Sequence, residues 1–104
     1  MRKKAWAVGL GLMLLFSLAA APVPDFTGPE LAVRLGCWSC HALKGRGGTA
    51  GVPLDGVGGR LSAADLAAVL TRPRSRLPGA KMPSYAYLRP GEMQALTEYL
   101  AGMK

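Results

Sequence analysis

Five consecutive residues limit what this chain can become: Cys37-Trp38-Ser39-Cys40-His41. The two cysteines stand three apart, one helical turn, and the histidine follows the second directly. No other cysteine and no other histidine occurs anywhere in the sequence. This order reads C-x-x-C-H, the attachment pattern for c-type haem, in which each thiol forms a thioether to a vinyl group. The adjacent imidazole is then held beneath the iron as its proximal ligand. Three other uses of such residues fit less well. A thioredoxin-type dithiol wants a βαβ frame, and no strand alternation flanks the motif. A structural zinc site wants four ligands, and two cysteines plus one histidine fall short. A plain disulfide leaves His41 without a role.

The chain has 104 residues, so it holds one domain at most. Residues 1–21 read as a signal peptide or an N-terminal membrane anchor, and 22–104 as the folded domain. Arg2, Lys3 and Lys4 open the leader, and an uncharged run follows from Ala5. Ser17-Leu18-Ala19 and Leu18-Ala19-Ala20 offer small-residue cleavage sites, which favours removal, although Pro22 opposes a cut directly after Ala21. The alternative is retention, because the uncharged run through Val23 is long enough to span a bilayer. Basic residues ahead of it would keep the N-terminus cytoplasmic and send the rest outward. Either way the sequence predicts an exported domain, periplasmic or anchored facing the periplasm, where haem can be attached. A domain this small buries little surface of its own. A haem supplies the missing apolar core, so the haem-free chain is expected to be largely unfolded.

The formal net charge is +7, and the domain stays basic without the three leader cations. A nucleic-acid binder would gather such charge with aromatics on one face, and export argues against that partner. An acidic protein face is the better match, since opposite charge raises the rate of encounter.

Along the chain, Thr27-Gly28-Pro29-Glu30 reads as a capping box that starts a short helix ending at Gly36. Residues 42–59 are dense in glycine without the spacing of a nucleotide loop, which suggests backbone passing close to a flat ligand. Ser62-Ala63-Ala64-Asp65 is a second capping box, opening a helix that ends before Pro73. Residues 72–89 read as irregular. A last helix follows Pro90, with Met93, Leu96, Tyr99, Leu100 and Met103 on one apolar face. No strand is expected, no repeat and no second domain.

An iron with one histidine needs an open site or a second ligand, and a thioether is the option that raises the potential of an electron carrier. Met1 and Met13 lie in the leader, and Met93 and Met103 on the helix face. Met82 remains, in a loop stiffened by Pro78 and Pro83, with Met93 as runner-up.

With these residues in place, residues 27–104 resemble a class I c-type cytochrome. The resemblance rests on the early C-x-x-C-H, Gly56-Val57-Gly58-Gly59-Arg60, Pro73, Pro78-Gly79-Ala80-Lys81-Met82-Pro83 and Tyr99-Leu100. It implies an all-α cytochrome c fold, three to four short helices around one covalently bound haem c, with His41 and Met82 on the iron. It also implies that the first and last helices cross, through Leu31, Val33 and Leu35 against Leu96, Tyr99 and Leu100. In the family a proline carbonyl accepts the second ring proton of the proximal histidine. Here that proline is displaced by one residue, so Val52 or Pro53 would orient His41. Arg60 matches an arginine near a haem propionate. Ala80 replaces a hydroxyl often found before the Lys-Met pair, and Val69 stands where some members place a tyrosine against the Met sulfur.

The expected function is that of a non-enzymatic, monohaem, extracytoplasmic electron carrier of a respiratory chain. Lys44, Lys81 and the Arg72/Arg74/Arg76 run would either dock acidic redox partners or form a solvated basic loop. Two other readings stand beside it: a haem-bearing subunit of a larger periplasmic oxidoreductase, and a sensor or peroxidase-like protein with an open iron. Apart from His41 the chain has no histidine for distal acid–base work, which disfavours the last.

Overall fold

Local side-chain chemistry starts the helices. In the computed structural model, which describes residues 25–104, Thr27 Oγ1 accepts the Glu30 N–H while the Glu30 carboxylate accepts the Thr27 N–H at 2.8 Å. This reciprocal cap opens α1, Gly28–Arg34. A one-turn helix α2, Cys37–Cys40, follows after Gly36 in the left-handed region. Strands β1, Ala42–Leu43, and β2, Arg46–Gly47, pair antiparallel, with Ala42 opposite Gly47 and Leu43 opposite Arg46. Helix α3 is Val57–Arg60, and α4, Ala63–Thr71, begins at the Ser62–Asp65 capping box. Helix α5 is Pro73–Arg76, and α6, Pro90–Ala101, has Pro90 in its first turn.

The architecture is all-α with one small hairpin. Three helices exceed a single turn, and these are the ones the capping residues and the apolar stripe foretold. The four-residue pieces α2, α3 and α5 bring the helix total to six among the described residues. Two regions therefore differ from the sequence reading. The glycine-rich stretch contains the β1–β2 hairpin, because Lys44 and Gly45 both adopt positive φ (53° and 79°) and make a two-residue turn. Residues 72–89 are not wholly irregular, since Pro73 sets the first φ of α5 and is itself fully buried. The residues read as a leader or anchor, 1–21, lie outside the described ones. No helix among the described residues is long and apolar enough to cross a membrane.

Leu31, Ala32, Leu66, Leu70, Leu96 and Leu100 form the centre of the core, with Leu54, Val57 and Tyr85 around it. Each buried leucine contributes on the order of 1.5–3 kcal/mol. Helices α1 and α6 pack together at Gly28, where a Cβ would overlap Tyr99 Cβ and come within 2.7 Å of the Ala95 carbonyl. Leu31 is buried in that crossing and Leu35 is half-buried. Val33, expected there too, points away and is 67% exposed, because it lies two residues from Leu31 on a helix of 3.6 residues per turn. At the C-terminal end of α6, Gly58 of α3 presses its backbone on Ala101, and its N–H donates to the Met103 carbonyl at 2.7 Å.

Candidate functional site

The left-handed turn at Gly36 (φ 77°) swings the chain from α1 into α2. Within α2 the His41 N–H donates to the Cys37 carbonyl at 3.0 Å, which fixes Cys37 and Cys40 on one turn. His41 itself is extended (φ −110°, ψ 150°), so its ring leaves the helix direction. Both thiols are free, with no disulfide between them. Burial pushes the Cys37 thiol pKa up and keeps it protonated.

His41 Nδ1–H donates to the Val52 carbonyl at 2.6 Å. The acceptor is thus Val52, not Pro53, which answers the alternative that the displaced proline left open. With Nδ1 occupied as donor, Nε2 keeps its lone pair for a metal, the arrangement that second-shell carbonyls impose on metal-binding histidines. The carbonyl of Pro53 instead accepts Arg60 Nη2 at 3.4 Å, while Arg60 Nη1 donates to the Asp55 carbonyl at 2.9 Å. Arg60 therefore braces the loop that carries the Val52 acceptor. The Asp55 carboxylate accepts the Lys44 N–H at 2.9 Å, tying the same loop to the hairpin.

The glycines of this region accommodate the chain itself. A Cβ on Gly51 would lie 2.6 Å from His41 Cε1 and 2.8 Å from Nδ1. One on Gly48 would overlap the Ser39 carbonyl, and one on Gly47 the His41 carbonyl. The backbone contacts match: Gly48 N–H donates to the Trp38 carbonyl at 2.9 Å, and Gly51 N–H to the Cys40 carbonyl at 2.6 Å. Residues 47–52 thus form a close-fitting wall behind α2 and the imidazole. At Gly47, Gly48 and Gly51 the crowding that selects glycine is with polypeptide and the imidazole ring.

Met82 is half-buried against the core, in a segment without regular structure. Ser84 Oγ donates to the Thr71 carbonyl at 2.6 Å and Tyr85 N–H to the Leu70 carbonyl at 2.7 Å, which fastens the segment to the end of α4. The Tyr85 hydroxyl donates to the Leu35 carbonyl at 3.3 Å, two residues before Cys37. Tyr85 is buried, and burial is the main reason its pKa lies above the usual value, followed by proximity to Cys37, Tyr87 and Cys40. The Met82 segment and the C-x-x-C-H turn are therefore linked through one hydroxyl. Sequence reasoning passed over Tyr85, Ser84 and Gly51; the only hint was their place beside Met82 and between His41 and Val52.

The residues fit a covalently held haem. Two unpaired thiols sit one turn apart, and beside them stands an imidazole with Nδ1 satisfied and Nε2 free. Among the described residues no three His, Cys, Asp or Glu side chains converge as a metal-holding group, so a tetrahedral zinc set is not assembled. Met93, the alternative thioether, lies on α6 and packs against the core as its helical stripe requires.

The basic residues divide by partner. Arg76 is paired with Asp65 at 2.7 Å, and Arg74 donates to backbone carbonyls at Ala80 and Met82. Lys44, Arg46, Arg72 and Lys81 are exposed, and among the described residues none of their side chains has a carboxylate partner. The run at 72–76 is thus only partly a free cationic surface.

Comparison with known proteins agrees with this geometry. The family model described as cytochrome c matches residues 27–104. Among curated proteins no sequence matches. A solved structure, the crystal structure of SoxXA from P. pantotrophus, contains a chain 23% identical to this one. The alignment covers 85% of this chain and 87% of that one, with a TM-score of 0.61. At that identity the likeness speaks for the fold alone.

Proposed function

This chain belongs to the cytochrome c family of haem-binding electron-transfer proteins, and on that premise we propose that it is a monohaem electron carrier working outside the cytoplasm. Cys37 and Cys40 would hold one haem c through thioethers, and His41 Nε2 and the Met82 sulfur would ligate its iron. The observation that carries this is the 2.6 Å bond from His41 Nδ1–H to the Val52 carbonyl, which leaves Nε2 with its lone pair in a motif whose two thiols are unpaired. The group supplies a one-electron couple when bound. This chain's residues orient the imidazole and confine the thioether.

With His41 and Met82 both committed to the iron, no position would be left for a substrate, which supports transfer without catalysis. The basic start of the leader and its uncharged run support export to the periplasm. Lys44, Arg46, Arg72 and Lys81 are, among the described residues, exposed cations without a carboxylate partner that can meet an acidic redox partner, and docking of that kind weakens steeply with salt. A respiratory chain is the setting such a carrier would serve.

A second reading, a haem-bearing subunit of a larger oxidoreductase, has one observation in its favour. Val33 and Tyr87 are large, apolar and 67% and 71% exposed, and a shallow dent of ≈ 290 Å³ lies between Trp38, Leu43, Arg46 and Gly47. Gel filtration of protein from its native source at high salt separates the two. A free carrier elutes alone, and a subunit elutes with its partner. The carrier reading itself is tested by the absorption spectrum of Met82→Ala. Loss of the Met–iron band with the haem retained is expected, and an unchanged spectrum would remove Met82 from the iron.

A further inference from the structure

We propose that Arg74 is the positioning residue that holds Met82 in place as an axial ligand, an inference that rests on the ligation reading above. The pins at Ser84 and Tyr85 act only beyond the ligand, and upstream the Ala80 N–H closes a turn on the Leu77 carbonyl at 2.9 Å. At Met82 itself one side chain among the described residues reaches the peptide group. Arg74 Nη1 donates to the Met82 carbonyl at 3.3 Å and to the Ala80 carbonyl at 3.4 Å. A single guanidinium thus ties together the carbonyls of the residues on either side of Lys81.

The base of this brace is firm. Arg74 sits in α5 directly after Pro73, which is fully buried, and the Leu77 N–H closes that helix on the Pro73 carbonyl at 2.9 Å. Both bonds leave from Nη1, whose two hydrogens are fixed in the guanidinium plane, whereas a lysine ammonium rotates on a flexible stem and does not hold both carbonyls with the same order. The neighbouring arginines do not share this role. Arg76 pairs with Asp65, and Arg72 has no carboxylate partner among the described residues. Arg74 is exposed, so its removal takes away the two carbonyl bonds without emptying a buried position.

An external imidazole competes with the Met82 sulfur for the iron, and a braced loop resists that exchange. Titrating the oxidised holoprotein with imidazole while following the Met–iron absorption band reads the resistance directly. Because the bonds are long and exposed, Arg74→Ala should keep the band yet bind imidazole roughly 3- to 10-fold more tightly than wild type. Arg74→Lys should fall between them, and Arg76→Ala should match wild type. Wild-type affinity in Arg74→Ala overturns the proposal, as does an Arg76→Ala effect of equal size. Where Arg74→Ala fails to mature, Arg74→Lys decides, and unaltered affinity there also overturns it. Failure of the ligation reading looks different: wild type then lacks the band, or Met82→Ala retains it.

Discussion

Replacing Gly51 by alanine would place one methyl group against the back of the His41 ring. Its Cβ would lie 2.6 Å from Cε1, 2.8 Å from Nδ1 and 3.1 Å from Nε2. Carbon atoms prefer separations of about 3.5–4.0 Å, so the ring or the wall must yield by roughly 1 Å. Gly51 is not among the glycines with positive φ, so the alanine meets no backbone penalty and the effect is purely steric. Two bonds resist the movement, Gly51 N–H to the Cys40 carbonyl and His41 Nδ1–H to the Val52 carbonyl, both 2.6 Å. Overpacking of this kind costs about 1–3 kcal/mol. The Val52 bond also makes the imidazole a stronger donor, which favours the oxidised iron, so weakening it should raise the reduction potential. A tenfold change in that preference is about 59 mV for one electron, and an increase of some tens of mV is expected. Guanidinium unfolding and potentiometric titration measure the two effects, with Gly59→Ala as control because a Cβ there meets nothing within 4 Å. Stability and potential in Gly51→Ala equal to those of the control would refute the idea that the wall sets the imidazole.

Three further outcomes follow. Gly58→Ala should destabilise the holoprotein by about 1–3 kcal/mol, since its Cβ overlaps the Ala101 carbonyl, and thermal unfolding beside Gly59→Ala checks this. The Glu30 and Asp65 carboxyls are held below the usual range, first by the Thr27 and Ser62 backbone N–H groups and then by those residues' side chains. Their contribution is therefore complete above the unfolded carboxylate range and is lost as pH falls through the lowered folded values. Asp65→Asn should lose less stability than wild type on acidification below about pH 4, read by circular dichroism. Expression without haem should give a chain with little helical circular dichroism, and a near-native spectrum would show that the protein core suffices.

Much of this was written in short-range chemistry. The Thr27–Glu30 and Ser62–Asp65 caps, Pro73, Pro90 and the α6 stripe are patterns within a few residues, so the three longer helices and the motif were readable directly. The hairpin was not, because Lys44-Gly45 is a weaker turn signal than Asn-Gly, and strands of two residues show no alternation. The choice of Val52 over Pro53 turns on where one carbonyl points, and a one-residue displacement decides that only after the loop is bent. Long-range partners were hidden for the same reason. Nothing local tells that Tyr85 reaches Leu35, or that Arg74 turns to Met82 while Arg76 turns to Asp65.

The central assertion, that Cys37 and Cys40 bond covalently to a haem ligated by His41, is tested most directly by mass. The protein matured in its own host should, after full denaturation, weigh its polypeptide plus one haem. The added mass should halt at that single group and vanish when both cysteines are replaced by alanine. A polypeptide mass alone from the natural host would contradict the account.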